Sequence, residues 1–354
     1  MAFSFLAQAN KRPDQIVVID LGARITKAVY VQRKGGVLNL LNFTLQDAPI
    51  FEKTLSPDIL AEHLKAVIQA LDAKTKRVIL VVGCTDSLLR QAELPQVPIA
   101  DMRQLLKFGA KNYLQQELPN YVFDCFVLPQ AQGAAPTESA KPGQKFRVLV
   151  GGAKRQLVED LQTAAKAAGL IPDQIVPGQI GPVNAFEMAQ PEVFSKEIVA
   201  LVDIGFRNST ITILLNGELT LSRVVGIGGD RISQGLSESM GISYAEAEGI
   251  KIGMPEEVQT TMQPLLSSLG RELRASVDFF EHQRDKAVSQ AFVSGGSARS
   301  EFILQSVQSE LMVSCKSWNP TSFLTLALPP KEMSEVEQAA PQLTVAIGAA
   351  AAAM

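Results

Sequence analysis

One short pattern occurs twice in this chain, near its start and again past its middle, and it limits the fold more than any other feature. The first copy runs from Val17 to Val29 through Asp20-Leu21-Gly22, and the second from Ala200 to Ile213 through Asp203-Ile204-Gly205. Each reads as an apolar strand, an Asp, a hydrophobic residue, a Gly that allows a tight turn, a polar stretch and a second apolar strand. The turn exposes backbone N–H groups, and the Asp stands where it can meet a cation or its water. Either copy alone is an ordinary hairpin, because Asp and Gly are common turn residues. Two copies imply two similarly built halves, and such a pair can grip a phosphate chain from both sides while the Asp residues organise Mg²⁺.

A third glycine pattern supports this reading. The strand Ala291-Phe292-Val293 enters Ser294-Gly295-Gly296-Ser297-Ala298-Arg299, and a helix follows. Two residues without side chains let backbone pass close to a flat ligand such as adenosine, with helix N–H groups toward a phosphate. Gly226-Ile227-Gly228-Gly229-Asp230 invites comparison with a dinucleotide fingerprint, but Arg231 stands where the third glycine belongs. There is no Gly-Lys-Ser/Thr, hence no P-loop.

Composition excludes several classes. At 46% hydrophobic and 19% charged residues, the 354-residue chain is a folded protein large enough for more than one domain. A net charge of −3 offers no broad basic field, so nucleic acid is not the main partner. Cys84, Cys125 and Cys315 are far apart and odd in number, which suggests a reducing compartment and no metal cluster. His63 and His282 stand alone on helix-like segments and read as structural or surface residues. The longest small-apolar run, Leu343 to Met354, is too short to span a bilayer, and the first residues carry no basic leader or signal core.

Along the chain, residues 1–13 read as a flexible end, and 14–83 with 181–197 as a first lobe. The lobe opens with a three-strand meander turned at Gly35-Gly36, a helix begun by Ser56-Pro57-Asp58, and the strand Val78 to Val82. Residues 84–180 read as an inserted α+β module with its own rhythm. In it, Asp101 is the expected cap of one helix, 130–145 a flexible hairpin loop, and Gly169 the end of a second helix. Residues 198–354 read as a second lobe with a helical part at about 242–288, Asp230 as the cap of one of its helices, and an Ala-rich final helix.

Together these residues resemble the actin-like ATPase superfamily. They are the hairpin pair, the Gly-Gly-Asp-Arg-Ile helix start, Ala247-Glu248-Gly249-Ile250-Lys251 and Ser-Gly-Gly-Ser-Ala. Order and spacing are closest to the FtsA/PilM branch, and the inserted module resembles the extra (1C-type) subdomain of that branch. Arg103-Gln104-Leu105-Leu106-Lys107-Phe108-Gly109-Ala110, with the later Gln-Gln-Glu-Leu, looks like the PilM version of it. The resemblance implies a two-lobed α/β actin-like fold that takes ATP or ADP with Mg²⁺. Asp20 and Asp203 would lie near the metal; Gly22, Thr26 and Lys27 would line the first phosphate loop; Gly205, Asn208 and Ser209 would line the second. Gly228, Gly229, Glu248, Lys251, Gly295 and Gly296 would surround the nucleoside.

The resemblance further implies a cytoplasmic assembly protein of a type IV pilus or related secretion platform, peripheral to the inner membrane, that docks the short tail of a PilN-like membrane protein beside the module. The helix from Asp101 to Leu118 and the strand Val78 to Val82 are the expected groove walls. Homo-oligomers are compatible with this, and the membrane would be reached through the partner. Two departures stand out: Ala23-Arg24 replaces small hydroxyl residues after Gly22, and Phe206-Arg207 replaces small residues after Gly205. Those arginines would pair with phosphates or with Asp20 or Asp203. No water-activating Glu or Gln is evident between the hairpins, and Gln116 and Glu117 read as surface residues. Nucleotide binding is therefore expected ahead of hydrolysis. A nucleotide-free homologue of the type II secretion kind, a division protein like FtsA and a true ATP-hydrolysing enzyme are the alternatives.

Overall fold

The computed structural model describes residues 12–49, 56–128 and 145–354. The expected flexible end and the 130–145 loop lie almost wholly outside those residues. Strands β1 (Gln15–Leu21), β2 (Ile25–Lys34) and β3 (Val37–Asp47) form the meander. Gly35 and Gly36 turn it with φ of 60° and 82°, a region that suits glycine. Helix α1 (Pro57–Ala70) starts as anticipated, Ser56 accepting from the Ile59 N–H and Pro57 filling the first turn. Strand β4 (Arg77–Val82) then lies parallel to β1.

The chain next leaves this sheet. Strands β5 (Ser87–Pro95), β6 (Tyr121–Val127) and β7 (Lys145–Lys154) form a separate antiparallel sheet in the order β5-β7-β6. Helix α2 (Ile99–Leu114) covers it with Met102, Leu106, Ala110 and Leu114. Helix α3 (Arg155–Ala167) and strand β8 (Ile171–Pro177) return to the first lobe: β8 pairs with β4, and Leu161, Ala164 and Ala165 join the core of Leu60, Leu64 and Val67. The independent module is therefore β5 to β7, shorter than the expected 84–180 span. The two caps differ as well. Helix α2 begins after Pro98 and carries Asp101 in its first turn, where the carboxylate favours the positive helix end without capping it.

The second half repeats the plan. After α4 (Ile180–Ala189) and α5 (Pro191–Lys196) come β9 (Ile198–Ile204), β10 (Ser209–Leu215), β11 (Glu218–Val225), α6 (Gly229–Met240), α7 (Tyr244–Gly253), α8 (Gln259–Arg284), β12 (Gln290–Ser294), α9 (Glu301–Leu311), β13 (Ser314–Ser317), β14 (Thr325–Leu326) and α10 (Met333–Ala353). Gly228 precedes α6, so Asp230 again lies in the first turn, while Gly241, at φ 66°, ends the helix as expected. The sheets run β14-β3-β2-β1-β4-β8 and β11-β10-β9-β12-β13. In both, a three-strand meander is followed by a strand parallel to its first member, so the duplicated sequence is a duplicated structure.

One core joins the halves. Ile16 and Val18 of the first sheet and Val199, Leu201 and Phe292 of the second pack with Phe186 of α4 and Leu343 and Ile347 of α10. Helices α4 and α10 touch backbone to backbone: a Cβ on Gly348 would lie 1.8 Å from the Gly181 carbonyl oxygen. The closing Ala-rich helix, expected within the second lobe, thus packs on α4, β1, β2 and β4 of the first. Among the described residues no helix is long and apolar enough to cross a membrane.

Candidate nucleotide site

The two Asp-x-Gly turns stand at equivalent ends of β1 and β9. In the first hairpin Asp20 is in register with Lys27, and Leu21 with Thr26. Side chains alternate across a strand, so Asp20 and Lys27 share the face toward the second lobe while Thr26 takes the other. Lys27 Nζ donates to Asp20 Oδ2 at 3.1 Å, and Asp20 is buried. Burial works against the Lys27 charge, but Asp20 and, farther off, Asp203 outweigh it and hold its pKa above the ordinary lysine value. Thr26 is buried instead against His63 of α1, 2.8 Å away, so its hydroxyl does not line the gap as expected. Gly22 cannot be replaced: a Cβ there would lie 2.3 Å from the Ile25 carbonyl oxygen and 2.6 Å from Lys27 Nζ. Its N–H closes the turn onto the Asp20 carbonyl at 3.0 Å and is not free for a ligand.

In the second hairpin Asp203 lies in register with Ser294 of β12 and accepts from its hydroxyl at 3.0 Å. Burial raises the Asp203 pKa, Lys27 and Ser294 oppose the rise, and the nearby Asp20 charge adds to it. The Gly205 N–H donates to the Asn208 carbonyl at 3.1 Å, and Asn208 is half-buried. Ser209 is buried, its hydroxyl donating to the Ile227 carbonyl at 2.7 Å, so it ties the hairpin to the following loop and does not face a ligand. The first amides of α6 are also taken: Gly229 N–H donates to Gly205 O at 3.0 Å and Asp230 N–H to Phe206 O at 2.8 Å. Gly228 makes this docking possible, since a Cβ there would meet Phe206 O at 2.4 Å. Gly295, at φ 96°, presses on β9 with its Cβ position 2.4 Å from Ile204 O. Gly296 is exposed, and a Cβ there would come no nearer than 3.8 Å to Gln342, which leaves its surface open to a ligand.

Glu248 and Lys251 of α7 stand beside the second turn. Lys251 is buried and donates to the Gly229 carbonyl at 3.1 Å, Ser233 Oγ at 2.8 Å and Glu248 Oε2 at 2.8 Å. Burial lowers its pKa against the pull of Glu248. Burial would raise the Glu248 pKa, but Lys251, Ser233 and Arg24 together bring it below the usual value. The other Glu248 oxygen faces Arg24 Nη1 from the first turn at 3.1 Å, and the Arg24 guanidinium lies 5.2 Å from the centre of the Phe206 ring. Neither Asp20 nor Asp203 pairs with Arg24, because Lys27 and Ser294 hold them. The link from Arg24 to Glu248 was not foreseen; its one trace in the sequence is an arginine where small residues are usual. Arg207 is exposed, as are Gln116 and Glu117 on the module. Among the described residues no three His, Cys, Asp or Glu side chains converge as a metal cluster.

Known proteins match this architecture. Over 83% of its length the chain is 22% identical to the cell division protein FtsA of Streptococcus pneumoniae, spanning 66% of that protein. Among solved structures, the PilM–PilN type IV pilus biogenesis complex aligns with a TM-score of 0.83 at 21% identity, over 97% of this chain and 100% of that one. MreB5 of Spiroplasma citri bound to AMPPNP aligns at 0.51 and 11% identity, over 95% of both chains or slightly more. The fold is thus the two-lobed actin-like one. Residues 18–353 match the family described as type IV pilus assembly protein PilM, and the chain belongs to that family.

Proposed function

We propose that this chain is a nucleotide-binding assembly factor of a type IV pilus platform, cytoplasmic and peripheral to the inner membrane, which it reaches through the tail of a PilN-like membrane protein. One observation carries the nucleotide part: the two Asp-x-Gly turns face a shared gap, where the Lys27 ammonium bonds Asp20 and also feels the charge of Asp203. Gly22, Gly228 and Gly295 let the turns pack tightly on the protein's own backbone, and Gly296 lies open to a ligand. Asp20 and Asp203 would hold Mg²⁺, directly or through water, and the ion would offset phosphate charge. Asp203 fits that role, since a partly desolvated carboxylate whose pKa is held above the ordinary value gains from a cation. Asn208 and Gly296 offer polar and backbone surface, whereas the Gly205 N–H and carbonyl are both taken by protein. Thr26, Ser209 and Lys251 act as supports, their polar groups being taken by protein. The nucleotide-bound MreB5 neighbour agrees with this use of the fold. The ligand acts as a switch, favouring one lobe arrangement over another, and turnover is slow or absent.

The partner reading rests on the family and on the likeness to a PilM–PilN complex. Strand β4 is no groove wall, because it lies buried between β1 and β8. Helix α2 remains, and it holds Phe108 80% exposed, a large apolar group suited to anchoring a peptide. Titration with the cytoplasmic tail of the PilN-like protein from the same cell should show binding that Phe108→Asp weakens at least about tenfold. Absence of binding to the unaltered chain would remove the partner reading.

A further inference from the structure

The Arg24 side chain spans two elements that its own hairpin does not contain. It rises from the first turn, lies against Phe206 of the second turn, and ends beside Glu248 of α7. The guanidinium therefore sits in the gap that separates the turns. Its bonding there is incomplete. Nη1 is buried and within 3.1 Å of Glu248, yet no acceptor is aligned with it for a hydrogen bond. Glu248 keeps other partners when Arg24 leaves, because Lys251 and Ser233 both bond its Oε2 and only Oε1 faces Arg24. Lys27 is likewise engaged by Asp20. Arg24 thus holds Glu248 through a close but unaligned contact, and a buried donor without an aligned acceptor calls for an explanation. A polyphosphate supplies one, because adjacent phosphate oxygens match the guanidinium fork with two charge-assisted bonds.

We propose that Arg24 is a phosphate-binding residue of this cleft, giving up Glu248 for the ligand and selecting nucleoside di- and triphosphates over nucleosides. This rests on the nucleotide reading above and adds a residue to it. Phe206 is the positioning residue: its ring holds the guanidinium across the gap before the ligand arrives.

Calorimetric titration with Mg-ATP, Mg-ADP and adenosine, on the intact chain and on R24A, R24K and F206L, tests it. R24A should weaken Mg-ATP and Mg-ADP at least about tenfold and leave adenosine unchanged, since only phosphates meet the fork. R24K keeps charge without the fork and should fall between. F206L keeps the charge and loses the ring, so it should also fall between. Far-ultraviolet circular dichroism of each variant confirms that it is folded. If the intact chain binds Mg-ATP and R24A binds it equally or more tightly, the proposal is overturned and Arg24 is a plug between the lobes. If the intact chain binds none of the three ligands, the nucleotide reading itself fails, and the role of Arg24 with it.

Discussion

Lys27→Met isolates the interaction at the centre of the cleft. Asp20 is 6% exposed, and Lys27 Nζ lies 3.1 Å from its carboxylate. The substitution keeps the side-chain length and removes the cation, so Asp20 is left buried beside Asp203 with their shared counter-charge gone. Breaking a fully buried pair costs about 3–5 kcal/mol, whereas an exposed pair is worth less than about 1 kcal/mol. Here the Lys27 side chain is 22% exposed and that of Asp20 9%, a mostly buried pair at a water-reached edge. The expected loss is about 2–3 kcal/mol at neutral pH, between those limits. Urea denaturation of the ligand-free protein, followed by circular dichroism, measures it. Adding Asp20→Asn should restore most of the loss, because the stranded charge then disappears. The Lys27 pKa is raised on folding, so the stabilisation is complete below the ordinary lysine range and fades as pH rises through the folded value. A Lys27→Met protein within about 0.5 kcal/mol of the parent would instead class the pair with surface bridges, without a buried charge to strand.

Asp203→Asn should stabilise the ligand-free protein at pH 7. Its carboxyl pKa is raised on folding, so the folded state holds the proton more tightly, and stability from this group falls as pH rises above the ordinary value of 3.8. The gain, read as a higher urea midpoint, should vanish at pH values below that range, and the same variant should lose Mg²⁺-dependent nucleotide binding. Gly348→Leu would force side-chain atoms into the Gly181 backbone, where even a Cβ has 1.8 Å; it should destabilise the protein by about 3 kcal/mol or more and broaden unfolding, because the core shared by the lobes opens. Phosphate release from ATP should stay well below about 1 s⁻¹, the lower end for working kinases, since the carboxylates at the turns are held by protein: Asp20 by Lys27, Asp203 by Ser294 and Glu248 by Lys251, Ser233 and Arg24.

The hairpins were legible in the sequence because their signals are local: an apolar strand, an Asp, a turn glycine and a second strand are all within reach of one another. The module boundary was not. Ile175 and Val176 mark a buried strand equally well in either sheet, and only the long-range pairing of β8 with β4 decides between them. The two misplaced caps share a cause, since Pro98 and Gly228 start their helices before the nearby Asp is reached. Position alone makes Thr26 and Ser209 look like ligand contacts. Hairpin register would have placed Thr26 on the face opposite Lys27, whereas the Ser209 bond to Ile227 depends on a loop that periodicity does not fix. The reach of Arg24 to Glu248 joins two lobes and leaves no periodic trace at all.

Titration of the intact chain with ATP, with and without Mg²⁺, tests the central claim that the gap between the Asp20 and Asp203 turns is a nucleotide site. Binding should strengthen with Mg²⁺ and lose that dependence in Asp20→Ala, while the fold survives. No binding heat under either condition, or Mg²⁺-dependent binding unchanged in Asp20→Ala, would contradict it.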